Sequence, residues 1–440
     1  MLKIKSCLLI GVTTALFTTG LAQDTLYLSI DQAIDEAINN SDIIKIDSVK
    51  TSIYDTKIAQ TKALLLPQVN LTSTYSRISN NVEPFRIAIP SVGEQALNPQ
   101  ILNQFYNRLS IQQPIFQGLK PYYTYKTIIA QKSAEALNTK KDKLEVKNNI
   151  IQWYYNLYQL QQTEILLDSS LQKNRVLLQH LKNLKEANLI LNNDVMRASL
   201  EETQLMSQKA DIEAAMATAQ YNLMTWMGRE DENLTLIPSW QESEPIALPI
   251  LDSLVGIALQ ERTELKNIEY LYDANDYQQK AARSAYMPSV ALVGNGYYNN
   301  PNTRIFPQEQ AFKATWDVGI SLQWNIMQAY SGKKNIQELQ QQQQILDINS
   351  DALHDNIAIE VNTQYQNYRK ALNKIPLMEQ AIVQAKENQR ITSNRYFEQL
   401  TLLNDVLDAN YLVLKAETDL LNAQIQRMIT YYNLQKSLGK

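Results

Sequence analysis

The sequence predicts a mainly α-helical protein with four β-strands, built from two copies of one structural module. Three observations predict this fold class. The chain repeats itself over a long distance, because "YNLMTWMGR" at residues 221–229 returns as "YNLQKSLGK" at residues 432–440. Glycine is scarce, with 11 in 440 residues, which favours long uninterrupted helices. One segment, "WDVGISLQWNI" at residues 316–326, alternates apolar and polar side chains without an error, as a strand does.

The duplication extends through most of the chain. At the same offset, "NDVM" at 193–196 matches "NDVL" at 404–407, and "LSIQQPIFQG" from Leu109 matches "ISLQWNIMQA" from Ile320. Nearer the N terminus the offset is longer, so the loop between the two strands is predicted to be shorter in the second half. A repeat this long indicates two copies of a whole module rather than a solenoid. We predict a first repeat over 23–229, a linker over 230–250 and a second repeat over 251–440.

The N terminus has the pattern of a secretory signal peptide over residues 1–22. Two lysines precede an apolar stretch that is too short to span a bilayer, and the small residues Gly20 and Ala22 fit a cleavage site. A retained anchor is the alternative interpretation. The single cysteine, Cys7, would be removed with the signal peptide, so an exported protein without disulfides is expected.

Composition and isolated residues argue against several function classes. The 41 basic and 45 acidic residues nearly balance, which gives no support to a nucleic-acid surface. No later stretch reaches the roughly 20 apolar residues that a membrane helix needs. His180 and His354 stand alone, whereas a metal site needs clustered ligands. With no nucleophile or phosphate-binding motif present, we predict no catalytic residue, no cofactor and no metal.

Each half is predicted to have the same order of elements. A helical segment (29–65 or 252–285) is followed by a strand, a loop, a second strand, a very long helix (119–187 or 330–398), a short turn and a closing helix. At 1.5 Å per residue, each long helix would reach about 100 Å, more than a globular core can use. Apolar residues that recur every seven positions from Leu400 to Met428 indicate coiled-coil packing.

The strand at 316–326 has two interpretations. It places on one face the apolar side chains of Trp316, Val318, Ile320, Leu322 and Trp324. A membrane β-strand has this length, this alternation and aromatic residues near its ends, but a half-buried sheet of a soluble protein has the same alternation. Four strands cannot close a barrel, and open sheet edges are not tolerated in lipid. A membrane location would therefore require several chains to share one barrel.

Together these residues resemble the TolC-like outer-membrane efflux proteins, the outer membrane factors. The resemblance covers nearly the whole mature chain and rests on the duplicated module, "QQPIFQG" at 112–118, "NDVMRA" at 193–198, "NDVLDA" at 404–409 and the glycine that closes each half. It implies a homotrimer with a shared 12-stranded β-barrel in the outer membrane and a trimeric α-helical coiled-coil tunnel in the periplasm. The linker would belong to a belt around the tunnel.

The resemblance also implies a function. The protein would be the passive exit duct of an efflux or type I secretion system, in contact with outer-membrane lipid. Its partners would be a periplasmic adaptor and an inner-membrane transporter. The alternative is a soluble periplasmic coiled-coil scaffold or adaptor, which would keep the long helices but need no lipid-facing strands. The alternation at 316–326 argues against that alternative.

The family's site residues can be transferred to the two helix-to-helix turns, 188–193 and 399–404. The resemblance implies an aperture at Asp405, Asp408, Asp194 and Tyr396, with Thr401 at the position of a family arginine that helps to hold the closed state. It implies that the adaptor docks at the turns, on Asn188, Leu189, Ile190, Asn193, Leu400, Leu402 and Asn404.

Two local expectations follow for these turns. Asn193 and Asn404, or the aspartate after each, would cap the next helix, and capping alone is the alternative to a gating role. A positive φ angle suits Asn188 better than Gln399, so the second turn is expected to differ in shape.

Overall fold

The computed structural model describes residues 26–96, 99–229, 234–236 and 249–440. The predicted signal peptide and most of the predicted linker lie outside the described residues. In chain order the elements are β1 (Leu26–Leu28), α1 (Ile30–Asn40), α2 (Asp42–Ala63), β2 (Gln68–Arg77), β3 (Arg86–Ile89), β4 (Gly93–Ala96), β5 (Asn103–Phe116), α3 (Lys120–Glu186), α4 (Asn192–Met227), β6 (Leu234–Leu236), α5 (Leu251–Glu261), α6 (Thr263–Arg283), β7 (Ser289–Asn299), β8 (Lys313–Gln323), α7 (Ile326–Phe397) and α8 (Leu403–Ser437).

The chain forms two compact units, and each unit takes segments from both predicted repeats. Unit 1 comprises the described residues of 1–41, 146–246 and 371–429. Unit 2 comprises those of 42–145, 247–370 and 430–440. The long helices are present as predicted, since α3 has 67 residues and α7 has 72.

The opening helical segment of each half is interrupted once, which the sequence did not predict. In the first half α1 starts with a capping box, in which Ser29 and Gln32 exchange side-chain-to-backbone hydrogen bonds. It ends at Ser41, and α2 then continues to Ala63. In the second half the break lies at Arg262, between α5 and α6. Ser41 and Arg262 have nearly the same extended conformation, with ψ angles of 125° and 123°.

The duplicated closing segments, 221–229 and 432–440, pack against these breaks. In unit 1, Gly228 lies against Asn40 with a φ angle of 71°, and the Asn40 side chain donates a hydrogen bond of 2.6 Å to the Met227 carbonyl. In unit 2, Gly439 lies against the main chain of Glu261 and Arg262 with a φ angle of 84°. Each half therefore packs its last turn against the break near its own beginning.

An arginine side chain contributes to each of these contacts. In unit 1, Arg229 pairs with Glu36 of α1 at 2.6 Å. In unit 2, the largely buried Arg262 pairs with Glu360 of α7 at 2.9 Å and donates to the Ser437 carbonyl at 3.2 Å. Since the main-chain group that Arg262 reaches belongs to the last turn of α8, this side chain ties the start and the end of the second half together.

All four long strands lie in one antiparallel sheet of unit 2, in the order β2-β5-β7-β8. Strands β2 and β8 form its edges. The hairpin of β3 and β4 belongs to the loop between β2 and β5, and the loop between β7 and β8 is shorter, as the change of repeat offset predicts. The predicted end of the last strand is wrong. Strand β8 stops at Gln323, and residues 326 onward already form α7, whose helical geometry ends the alternation.

We expect Gly439→Ala to destabilise unit 2. The left-handed φ angle penalises any side chain by about 1–2 kcal/mol, and a Cβ would lie 3.2 Å from the Glu261 carbonyl carbon, which is main chain and cannot rotate away. Thermal unfolding of the purified protein should show a lower Tm. Gly256→Ala is the matched control, because nothing lies within 4 Å of its new Cβ and alanine favours a helix. A Tm for Gly439→Ala equal to that of the control would contradict the expectation.

Candidate functional site

The two helix-to-helix turns have the same backbone geometry. After α3, Asn188 has a φ angle of 57° and the amide of Leu189 donates to the Leu184 carbonyl at 2.9 Å. After α7, Gln399 has a φ angle of 61° and the amide of Leu400 donates to the Arg395 carbonyl at 2.8 Å. Both are Schellman motifs. The expectation of a differently shaped second turn is wrong, because the motif's main-chain hydrogen bonds hold Gln399 in the left-handed region.

The helices that leave the turns are capped in different ways. Helix α4 is preceded by Leu191 and has no side-chain cap, so capping by Asn193 or Asp194 is wrong. Before α8, the Asp405 carboxylate accepts hydrogen bonds from the Leu402 amide at 3.2 Å and from the Thr401 hydroxyl. Capping by the aspartate after Asn404 is therefore confirmed. The two hydrogen bonds, with the Thr401 hydroxyl as the larger cause, lower the pKa of Asp405.

An arginine that the sequence analysis overlooked links the two turns. Arg197 of α4 donates a hydrogen bond to the side-chain oxygen of Asn404 at the start of α8. Thr401, which the resemblance places at the position of a family arginine, donates a hydrogen bond to Asp405. The signal was present in "NDVMRA", where the arginine follows Asn193 by one helical turn. Arg197 thus makes a basic contact between the two turns.

A small apolar core lies beneath the turns. Its buried members are Leu178, Leu181, Ala198 and Leu403. Ile190 and Tyr396 pack against it. Burial, and secondly the negative charge of Asp194, raises the pKa of Tyr396. The charge of Asp194 therefore reaches Tyr396. The part that both residues play at the aperture stays a prediction.

Asp405 and Asp408 have different surroundings although both are exposed. The Asp405 carboxylate accepts its hydrogen bonds from residues at the start of its own helix. Asp408 lies close to Glu201 of α4, a residue that the sequence analysis did not select. Burial, followed by the charge of Asp408, raises the pKa of Glu201. The charge of Asp408 therefore acts on Glu201, in addition to the effect of burial.

Each turn also exposes two leucines at equivalent positions. They are Leu189 and Leu191 in the first turn and Leu400 and Leu402 in the second. Leu191 was not among the predicted docking residues. Asn188 and Asn193 are exposed beside them. Large apolar side chains grouped in this way are typical of a surface that binds another protein.

The sheet of unit 2 exposes the apolar face that the alternation predicted. Trp316 is 78% and Ile320 is 74% exposed, and Val318 and Leu322 are exposed beside them. The register places Leu292 of β7 opposite Ile320 on the same face. Trp324 is exposed as well, but it lies beyond the end of β8.

The histidines make local contacts in the helices. The ring of His180 packs edge-on against Phe397 at 5.3 Å, and the His354 ring lies 2.8 Å from the Ser350 carbonyl oxygen. Within the described ranges, no group of three or more His, Cys, Asp or Glu side chains is arranged to hold a metal ion. None of the helices described is at once long and apolar enough to cross a membrane.

The family model described as "Outer membrane efflux protein" matches residues 33–229 and 254–440. The chain belongs to the outer membrane efflux protein family. It is thus an outer-membrane protein, and its family consists of efflux channels rather than enzymes. The predicted TolC-like resemblance and fold class are confirmed.

Solved structures of similar fold include three outer-membrane proteins. The CmeC channel of Campylobacter jejuni has a TM-score of 0.75 at 15% identity, over 93% of this chain and 85% of that one. The open-state MtrE channel of Neisseria gonorrhoeae has 0.72 at 16%, over 93% and 88%. VceC of Vibrio cholerae has 0.71 at 17%, over 93% and 96%. Comparison with curated protein sequences gives no match.

We expect the Asp405 cap to fail in acid. Because its pKa is lowered, the ionised form stabilises the folded turn at pH values above the ordinary carboxyl pKa of about 3.9. This contribution is lost as the pH falls through the still lower value in the folded protein. Asp405→Ala should therefore raise the hydrogen-exchange rate of the Leu402 amide at neutral pH, and the difference from wild type should shrink below about pH 4. Asp408→Ala is the control, and an equal effect in both variants would contradict the cap.

Proposed function

We propose that three copies of this chain form the outer-membrane exit duct of an efflux or type I secretion system. The observation that carries the proposal is the sheet of unit 2, which combines an exposed apolar face with two edge strands. The duct conducts solutes passively from a periplasmic adaptor and an inner-membrane transporter. The predicted signal peptide supports export to this location.

The edges of the sheet support assembly into a barrel. Strands β2 and β8 lie at the two ends of a four-stranded antiparallel sheet, so they run in opposite directions. Strand β2 of one chain can therefore pair in antiparallel fashion with β8 of the next. In lipid this pairing is needed, since each unsatisfied backbone group there costs several kcal/mol.

The size of the barrel supports three copies over two. Two chains would give eight strands, and the interior of an eight-stranded barrel is filled by its own side chains. Three chains give twelve strands and leave room for a lumen. Because each chain contains two similar halves, a trimer would have six similar staves of long helices around its periplasmic tunnel.

The two turns fit the periplasmic end of such a duct. We assign the aperture to Asp408 with Glu201, and place Asp194, Tyr396 and Asp405 in the structure that holds it closed. The exposed leucines at 189, 191, 400 and 402 provide the apolar surface on which an adaptor docks. Arg197 and its contact with Asn404 stabilise the closed turns in place of the family arginine.

Disulfide trapping tests the assembly. The sequence has one cysteine, Cys7, which the predicted cleavage removes, so introduced cysteines would be the only ones in the mature chain. We expect Leu71→Cys on β2, combined in turn with cysteine at Val318 or Ile320 on β8, to yield covalent trimers after mild oxidation. Non-reducing electrophoresis would detect them. Leu71→Cys alone is the control. A ladder that stops at two chains, or soluble monomers, would contradict the proposal.

Ion selectivity tests the aperture. Rings of acidic side chains favour cations at a constriction. The current through wild-type trimers in planar bilayers should therefore be cation-selective because of the aperture at the periplasmic end. We expect Asp408→Asn to weaken that selectivity and the block of the current by multivalent cations from the periplasmic side. Glu417→Gln is the matched control, because Glu417 already pairs with Lys386 at 2.9 Å. Unchanged selectivity in Asp408→Asn would remove Asp408 from the pore.

A further inference from the structure

The face of the sheet opposite the apolar one carries a row of polar side chains from three adjacent strands. Arg108 of β5 donates two hydrogen bonds, of 3.0 and 2.8 Å, to the side-chain oxygen of Asn295 on β7. Asn295 in turn donates to Asp317 of β8 at 2.7 Å, and these two residues are directly paired in the register. In the proposed barrel, this face lines the lumen.

The loop at residues 300–312, between β7 and β8, folds back onto the same face. Arg304 of this loop pairs with the second carboxylate oxygen of Asp317 at 2.6 Å. Its guanidinium lies 4.1 Å from the ring centroid of Tyr297, and Arg108 approaches the same ring at 5.9 Å. Tyr297 thus contacts both arginines, and Asp317 holds one of them, Arg304, in place.

The loop is fixed by a buried side chain. Asn302 is only 2% exposed, and it donates hydrogen bonds to the Lys313 carbonyl at 2.9 Å and to the Thr315 hydroxyl at 3.2 Å. Its own oxygen accepts from the amide of Arg304 at 3.1 Å. Arg304 is therefore positioned before any ligand arrives, which lowers the entropy cost of binding.

The charges of this cluster do not balance. Both oxygens of Asp317 are engaged, one by Asn295 and one by Arg304. Across the described part of the chain, the ion pairs include none to Arg108, whose partner on β7 is a neutral amide. Two guanidiniums against one carboxylate leave one positive charge per chain. Guanidinium groups match carboxylate, sulfonate and phosphate oxygens in a bidentate geometry.

We propose that Arg108 and Arg304 form an oxyanion-binding belt in the lumen of the barrel, at the level of the half of β8 that lies farther from helix α7. The proposal rests on the proposed function, which places this face inside the duct. Three chains repeat the belt around the axis, and rings of arginine favour anions and phosphates in pores. The belt binds and orients solutes that bear carboxylate, sulfonate or phosphate groups as they pass through the duct.

The test uses trimers of the full mature chain in planar bilayers, with inorganic tripolyphosphate as the probe. Added on the external side, tripolyphosphate should block the wild-type current reversibly. Arg108→Gln keeps the Arg304–Asp317 pair and removes the unbalanced charge, so its affinity for the probe should fall at least about tenfold. Arg108→Lys keeps the positive charge but loses the bidentate geometry of the guanidinium, so it should restore the block in part. Arg77→Gln is the matched control, because Arg77 lies on the other face and contacts Asn103.

The outcomes separate the belt from the duct. Equal block of the wild type, Arg108→Gln and Arg77→Gln would overturn the belt while leaving a conducting duct intact. If Arg108→Gln fails to assemble, Arg304→Gln must show the same loss of affinity, or the belt is wrong. Wild-type trimers without any conductance would overturn the proposed function and the belt together.

Discussion

The edges of the four-stranded sheet impose the constraint on which the rest of the proposed assembly depends. Strands β2 and β8 each present a row of backbone donors and acceptors along one side, and a bilayer offers those groups no partner. The exposed apolar face that includes Ile320 suits lipid, so the sheet needs more copies of itself. Closure then gives the opposite face a lumen, where the proposed belt of Arg108 and Arg304 would meet passing solutes.

Both halves of the duplication make an equivalent contact between their end and their beginning. In each half the final glycine packs against the break in the opening helix, Gly228 at Asn40 and Gly439 at Glu261. The two contacts occupy equivalent positions but differ in chemistry, because Asn40 contributes a side chain and Glu261 contributes main chain. The same joint is thus made twice, with a hydrogen bond from Asn40 in one half and a largely buried arginine, Arg262, in the other.

The turns divide several roles among residues that look alike in sequence. "NDVM" and "NDVL" are nearly identical, yet Asp194 lies beside Tyr396 whereas Asp405 caps a helix. The charge of Asp408 instead acts on Glu201 of α4 and raises its pKa. In the proposed duct, the acidic aperture at the turns would retain cations and the arginine belt in the barrel would retain anions. Solutes of either charge would therefore be retained at one of the two places.

The sequence by itself determined the repeat, the four strands, the long helices, the apolar face that includes Ile320 and the family, because periodicity and duplication are properties of the order of residues. It did not predict the breaks at Ser41 and Arg262, the end of β8 at Gln323, or the conformation of Gln399, because distant packing and main-chain hydrogen bonds decide these. Glu201, Arg197 and the cluster of Arg108, Asn295, Arg304 and Asp317 were also beyond it. Their members come from different helices, strands or loops, and only the tertiary structure brings such residues within hydrogen-bonding distance or within range of one another's charge.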